Sequence, residues 1–467
     1  MENNSLTRPL GGLGQVAVSS SAASPQWSGR MAFVLAATGS AVGLGNIWKF
    51  PYITGEHGGA AFVLVYLACI LVIGIPLLMA EVMIGRRGRH NPPHAMAALA
   101  GEAGASSRWR WLGWVGVLTG FLLLSFYVVV AGWAVAYIFD TGAGTFNGAS
   151  GEQVGTHFGA LLGSPLTLIF WGSLVLALTL GIVALGVRQG LERAVNLMMP
   201  GLFLLLLVLV GYAMTTGHFM QGLAFLFNPD FGKLSGNSVL VALGHAFFTL
   251  SLAGGGMMTY GAYLPGKVSI AKTALIIGLL DTLVALLAGM VIFPLVFANG
   301  LEPGAGPGLL FVTLPIAFGQ MPLGALFGAL FFVMLSVAAL TSAISLIEPA
   351  VAWLTGRYRI SRARACLGSG VLMWLLSLGT VFSFNLWEQH TLFGKTFFGG
   401  LDYLTSSWIM PLSGLFIALF AGWVMSRATT EQELGRGPGY RLWRFTIRYL
   451  SPVFIVLMFL NAIGVFG

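Results

Sequence analysis

Four apolar stretches of this 467-residue chain are interrupted by glycines and by side chains that carry oxygen. The first reads GSAVGLGNIWKFP, Gly39 to Pro51. Glycine weakens a helix by roughly 1 kcal/mol against alanine, and a lysine at bilayer depth costs ~3 kcal/mol or more. Gly39 and Gly43 form a GxxxG pair, which close helix packing explains. Packing does not explain Gly45, Asn46 and Lys49. A GLG run followed by asparagine suggests a break inside a helix, and unwound backbone at that depth is tolerated only where it lines a cavity. The freed carbonyls can hold a cation and the freed N–H groups an anion. The second stretch, FFTLSLAGGGMMTY, carries Thr249, Ser251 and three consecutive glycines, Gly254 to Gly256. The third places Asp281 in LLDTLVALLAG, and an intramembrane carboxylate points to function by default. The fourth, ALTSAIS, holds Thr341 and Ser342, whose hydroxyls also suit bonding to a carbonyl one turn back.

The elements that must position these groups are membrane helices. The chain is 57% hydrophobic and 8% charged, against about 25% charged in a soluble domain. The composition specifies an all-α polytopic membrane protein, because the backbone in lipid must satisfy its own hydrogen bonds. Runs of spanning length, ~20 residues each, fall at about 29–53, 58–84, 111–138, 165–186, 195–216, 238–264, 271–298, 322–355, 366–386, 398–425 and 445–466, eleven in all. The interrupted runs are the first and the sixth. Defects at corresponding places in two five-helix halves, about 29–216 and 238–425, point to an inverted 5+5 repeat with helices 1 and 6 unwound at the midplane. The halves share no residue-level identity, and the spacing of the defects alone carries the repeat. An eleventh transmembrane helix occupies 443–467.

Residues 1–26 are polar and Ser-rich without an apolar h-region, so they read as a cytoplasmic N-terminal tail and not as a cleavable signal peptide. With that end inside, nearly all of the 23 Lys and Arg fall in the tail or in cytoplasmic loops, leaving Lys233 and Lys395 outside and Lys49 in a span. This positive-inside bias accounts for the net charge of +8 without nucleic-acid binding. Cys69 and Cys366, both in or beside apolar runs, suggest no disulfide framework or metal site. His90 and His94 flank Asn-Pro-Pro, which spoils an i,i+4 metal pair.

GSAVGLGNIWKFP, FFTLSLAGGGMMTYGAY, DTLVALLAG and ALTSAIS together resemble the signature segments of the neurotransmitter:sodium symporters, notably the bacterial amino-acid branch with the LeuT-like fold. GLERAVNLMMP adds the Gly190-x9-Pro200 spacing that the family carries on helix five, and the likeness covers about residues 27–450, the transporter core. The resemblance implies two sodium sites built from hard oxygen donors. One would use Ala41, Asn46, Thr249 and Asp281 with the substrate carboxylate. The other would use Gly39, Val42, Ala338, Thr341 and Ser342. The substrate carboxylate would meet Gly43, Gly45 and Tyr127. The side-chain pocket would be lined by Leu123, Phe248, Ser251, Gly254 and Leu346, and Ala41, Leu44, Thr249 and Ser342 would complete the substrate-binding set. Glycine at position 43, where monoamine carriers have aspartate, implies an α-amino acid. Gly254 replaces the leucine carrier's phenylalanine, which implies bulky aliphatic or aromatic side chains.

Several positions depart from the family pattern. The outer-gate arginine and aspartate become Lys49 and Asp402, and the assisting glutamine becomes His245. Lysine lacks the guanidinium fork, so a bidentate clamp is lost. The inner-gate ion pair is replaced by Ser24 and Gly356, which leaves Trp27, Tyr263 and Glu348 as inner-gate parts. Chloride-dependent relatives have asparagine and serine where this chain has Asp281 and Ala285, so sodium coupling without chloride is expected. The resemblance thus implies a sodium-coupled amino-acid symporter of a bacterial inner membrane, without enzymatic activity or an obligatory protein partner. The rivals are a channel, a proton-coupled amino-acid carrier of similar fold and a sodium symporter of another small amine or osmolyte. The proton-coupled carrier should lack the Thr341/Ser342 site.

Overall fold

The computed structural model describes residues 26–304 and 308–465. The tail expectation, with Ser24 in it, falls on 1–25 and so lies outside the described residues. Those described form helices and loops, with one isolated bridge between Leu392 and Lys395 and no strand.

Among the described residues, nine helices are long and apolar enough to cross a membrane, and a bent pair brings the number to ten. The pair is Arg30–Ala41 and Gly45–Glu56, which meet at 50°. The other nine are Ala60–Gly88, Ser107–Gly142, Pro165–Ala184, Val187–Met214, Ile270–Ala298, Gly324–Tyr358, Arg362–Phe382, Phe397–Val424 and Pro438–Ala462. The run expected as the sixth span is two short helices, Gly236–Thr249 and Gly256–Ala262. They are here called the two halves of span 6, and the other spans keep their sequence order. Hydropathy placed most ends within a few residues. It passed over Pro92–Glu102, Gly151–Leu162 and Phe219–Phe227, which are too short to span.

Small residues set how closely these helices approach. A Cβ on Gly85 would lie 1.9 Å from the Met258 carbonyl, so span 2 meets the second half of span 6 backbone to backbone. Gly190 stands 2.0 Å, by the same measure, from the Ile182 carbonyl. Only glycine fits there, at the start of the helix that Pro200 interrupts.

The basic loop ends gather at one end of the bundle. Arg86 bonds Glu433 at 2.6 Å and the Val268 carbonyl, while Arg89 bonds the Leu264 carbonyl at 2.7 Å. Arg188 reaches the Gln26 carbonyl at 3.1 Å. Loop 2–3, loop 4–5, loop 6–7 and the segment after span 10 therefore share an end with the start of span 1, as the charge pattern requires.

Candidate functional site

The two broken segments touch each other. Ser251 Oγ donates to the Ser40 carbonyl at 2.6 Å, and Ser40 Oγ donates to Ser345 Oγ at 2.7 Å. Ser251 and Ala253 adopt left-handed φ of 50° and 66°, a conformation that costs a residue with a Cβ and clusters at functional sites. A side chain from span 2 supports the break: Glu81 Oε1 accepts the Ala253 amide at 2.6 Å. Both breaks thus lose helical bonds and regain some of them from side chains, as apolar surroundings demand.

One cavity lies between the breaks and spans 3, 8 and 10. It is lined by Ala41, Gly43, Leu44, Gly45, Leu123, Tyr127, Phe248, Ser251, Gly254, Ser342 and Leu346, together with Leu252 and Met410. Eleven of the twelve residues singled out from the sequence for the substrate are there. Thr249 is not among the lining residues and turns instead to Asp281. The glycines have different work. A Cβ on Gly43 would stand 2.5 Å from Ser342 Oγ and 2.8 Å from Tyr127 Oη, so no side chain fits without displacing both. A Cβ on Gly254 would meet only Leu346, at 4.0 Å, so a side chain there would project into free space.

Asp281 is fully buried and collects three side-chain donors. Asn46 Nδ2 gives bonds of 2.7 Å to Oδ1 and 3.0 Å to the Asp281 carbonyl. Thr249 Oγ1 lies 3.2 and 3.1 Å from the two carboxyl oxygens, and Tyr66 Oη donates at 3.5 Å. No lysine or arginine pairs with it among the described residues. A buried carboxylate without a counterion is costly, and this arrangement suits a cation brought from solution.

A second oxygen cluster forms where span 8 faces the first break. The Gly43 amide, which a continuous helix would aim at the Gly39 carbonyl, donates to Asn46 Oδ1 at 3.0 Å. The Leu44 amide donates to Tyr127 Oη at 3.3 Å, which frees the Ser40 carbonyl in the same way. Ser342 Oγ lies 3.5, 3.2 and 3.1 Å from the carbonyls of Gly39, Ser40 and Val42. Thr341 Oγ1 donates to the Ala338 carbonyl at 2.9 Å. The Ser40 carbonyl already accepts from Ser251; one hydroxyl has one proton to give, so the Gly39 and Val42 carbonyls around Ser342 are still more acceptors than it can satisfy. The back-bonding foreseen for Thr341 is real and does not remove this excess.

The proposed gate residues sit at opposite ends of the cavity. Lys49 and Asp402 border one pocket with Phe248 and Tyr127 between them and the first cavity. They do not form an ion pair: the Lys49 ammonium lies 4.6 Å from the Phe248 ring centre, and Asp402 accepts from Ser406 at 3.0 Å. His245 is buried against Phe50 and Tyr66, with neither ring nitrogen hydrogen-bonded among the described residues. At the arginine-rich end, Trp27 Nε1 donates to the Tyr260 carbonyl at 3.1 Å, and Tyr263 Oη donates to Glu348 at 2.7 Å. Arg362 completes this network with bonds of 3.0 and 2.6 Å to Glu348. Ser28 is held by Glu192, its amide at 3.0 Å from Oε2. His94 Nδ1 lies 2.7 Å from Asn91 Oδ1, and its ring centre 6.3 Å from that of His90.

Sequence reasoning missed Glu81, Met410 and the part played by Arg362. Glu81 carried the same signal as Asp281, a lone acid within an apolar run. Arg362 stood among the loop arginines, and nothing in the spacing aimed it at Glu348. Met410 has no signal of its own.

The chain resembles known transporters over almost its full length. A model of the sodium:neurotransmitter symporter family matches residues 24–148 and 166–466. An uncharacterized sodium-dependent transporter of Bacillus subtilis is 41% identical, across 94% of this chain and 98% of its own. Another, from Haemophilus influenzae, is 34% identical across 93% and 97%. Among solved structures, MhsT in complex with L-phenylalanine is 42% identical, with a TM-score of 0.86 over 94% of this chain and 99% of that one.

Proposed function

We propose, from the premise that this chain belongs to the sodium:neurotransmitter symporter family, that it carries bulky hydrophobic or aromatic L-amino acids together with sodium. Sodium-coupled transport with a LeuT-like fold comes with the family and the structural likeness. The substrate is our reading, and the cavity carries it: the residues singled out for an amino acid line one space, whose walls are apolar apart from Ser251, Ser342 and Tyr127. The α-carboxylate would take the amides of the first break and the Tyr127 hydroxyl. The side chain would run toward Gly254, where no Cβ limits its size. That MhsT binds L-phenylalanine supports the same class.

Two sodium ions complete the reading. One would sit against Asp281, Asn46, Thr249 and the Ala41 carbonyl. The other would be held by the carbonyls of Gly39, Val42 and Ala338 with the hydroxyls of Thr341 and Ser342. Ionised Asp281 would supply the negative charge that chloride gives to other carriers, so we propose that chloride is not required.

Counting the two halves of span 6 as one broken span would give eleven spans, ten in two inverted five-span repeats and the eleventh beyond them. Lys49 and Asp402, with His245 beside them, would close the outer side. Tyr263, Glu348 and Trp27, now joined by Arg362, would close the inner one. The arginine-rich end would face the cytoplasm of a bacterium. Scintillation-proximity binding of labelled phenylalanine, tryptophan, leucine and alanine, with sodium or choline, tests the reading. Sodium-dependent binding of the large side chains is expected. Preference for alanine, or binding that ignores sodium, would reject it.

A further inference from the structure

We infer that a groove between the start of span 3 and span 10 is a seat for an anionic phospholipid. Its walls are Trp109, Trp111, Leu112, Val115, Leu412 and Phe416, and it encloses about 640 Å³ at the arginine-rich end of the bundle. Trp111 is 59% exposed and Phe416 45% exposed, so the groove opens on the side that faces lipid. Trp109 is edge-on to Phe416 at 6.3 Å and tilted to Phe420 at 5.1 Å, which fixes one wall. An acyl chain fits an apolar recess of this kind, and tryptophans at its mouth belong at the depth of the lipid headgroups.

Two polar groups distinguish this seat from ordinary lipid contact. Arg108 borders the groove and makes no ion pair among the described residues, whereas Arg86 and Arg87 nearby in the chain are both paired. A basic side chain at the mouth of a pocket between membrane helices selects anionic headgroups. Ser413 also borders it, is 2% exposed, and among the described residues its hydroxyl has no hydrogen-bond partner, not even the carbonyl one turn back. Buried polar groups are ordinarily satisfied, so a donor left open in a groove calls for an acceptor brought by the occupant. A phospholipid brings all three parts: a phosphate for Arg108, an ester carbonyl for Ser413 and an acyl chain for the aromatic wall. The seat also bears on transport, because Ile409 borders the groove and its neighbour Met410 lines the substrate cavity.

The test does not depend on substrate identity. The full chain is titrated with phosphatidylglycerol or with phosphatidylcholine of the same acyl chains, and native mass spectrometry reads the first bound lipid. Phosphatidylglycerol should bind about fivefold tighter, the effect of one basic residue near the surface. Arg108→Gln should erase that preference, and Arg193→Gln, at an exposed position away from the groove, should keep it. Ser413→Ala should weaken both lipids alike, since both carry the ester. Equal binding of the two lipids by the unaltered protein would overturn the inference. So would equal losses in Arg108→Gln and Arg193→Gln, or a Ser413→Ala variant that binds both lipids as before.

Discussion

Ser342 and Thr341 bring one hydroxyl each to a cluster of carbonyls that their protons cannot saturate. Removing both by Thr341→Ala with Ser342→Ala would take two oxygen ligands from the proposed sodium. The sodium concentration for half-maximal substrate binding should rise severalfold, and an unchanged value would show that the cluster only ties span 8 to span 1. Gly254 poses the question of size. Gly254→Phe should fill the cavity, and a misfit of typically 1–3 kcal/mol is about one to two decades of affinity. Competition of tryptophan against valine reads the change, and an unaltered ratio would remove Gly254 from the pocket wall. At this scale much of the site was legible, because polar atoms in an apolar run have few explanations. Asp281 and Thr341 declared themselves in that way. Met410 did not, since a methionine facing a cavity looks the same as one facing lipid.

The breaks in the first and sixth segments are elements in their own right. Their glycines announced them, but their stitching could not be read: the Ser251 bond to Ser40, and Glu81 under Ala253, join residues far apart in the chain. The two ends of the cavity differ in kind. Glu348 is fully buried and held by Arg362 and Tyr263, and stripping one partner from a buried pair costs on the order of 3–5 kcal/mol. Arg362→Ala should loosen the arginine-rich end. Cys366, one turn along span 9 and 3% exposed, should then react faster with a maleimide in a Cys69→Ser background. An unchanged rate would show that the network is not a closure. Lys49 and Asp402 share a pocket without an ion pair, so Lys49→Arg should be tolerated. Asp402→Ala should slow uptake more than it weakens binding, and equal losses would argue against a gate.

The molecule as a whole follows from composition and charge placement. An apolar chain with its arginines in alternate loops has one arrangement that lets those loops meet at one end, and the Arg86 and Arg89 contacts across to the loop between spans 6 and 7 realise it. The short helices between spans escaped hydropathy because it weighs length and apolarity together. Charge also bears on the ions: Asp281, buried without a basic partner, should let sodium work alone, so replacing chloride by gluconate should leave uptake intact. The central claim is that a sodium gradient drives a bulky amino acid through this cavity. Uptake of labelled L-phenylalanine into proteoliposomes measures it directly, comparing an inward sodium gradient with equal choline and with an inward proton gradient. The account predicts transient accumulation above equilibrium with sodium alone. Accumulation driven by protons in choline, or equilibration without accumulation in all three, would contradict it.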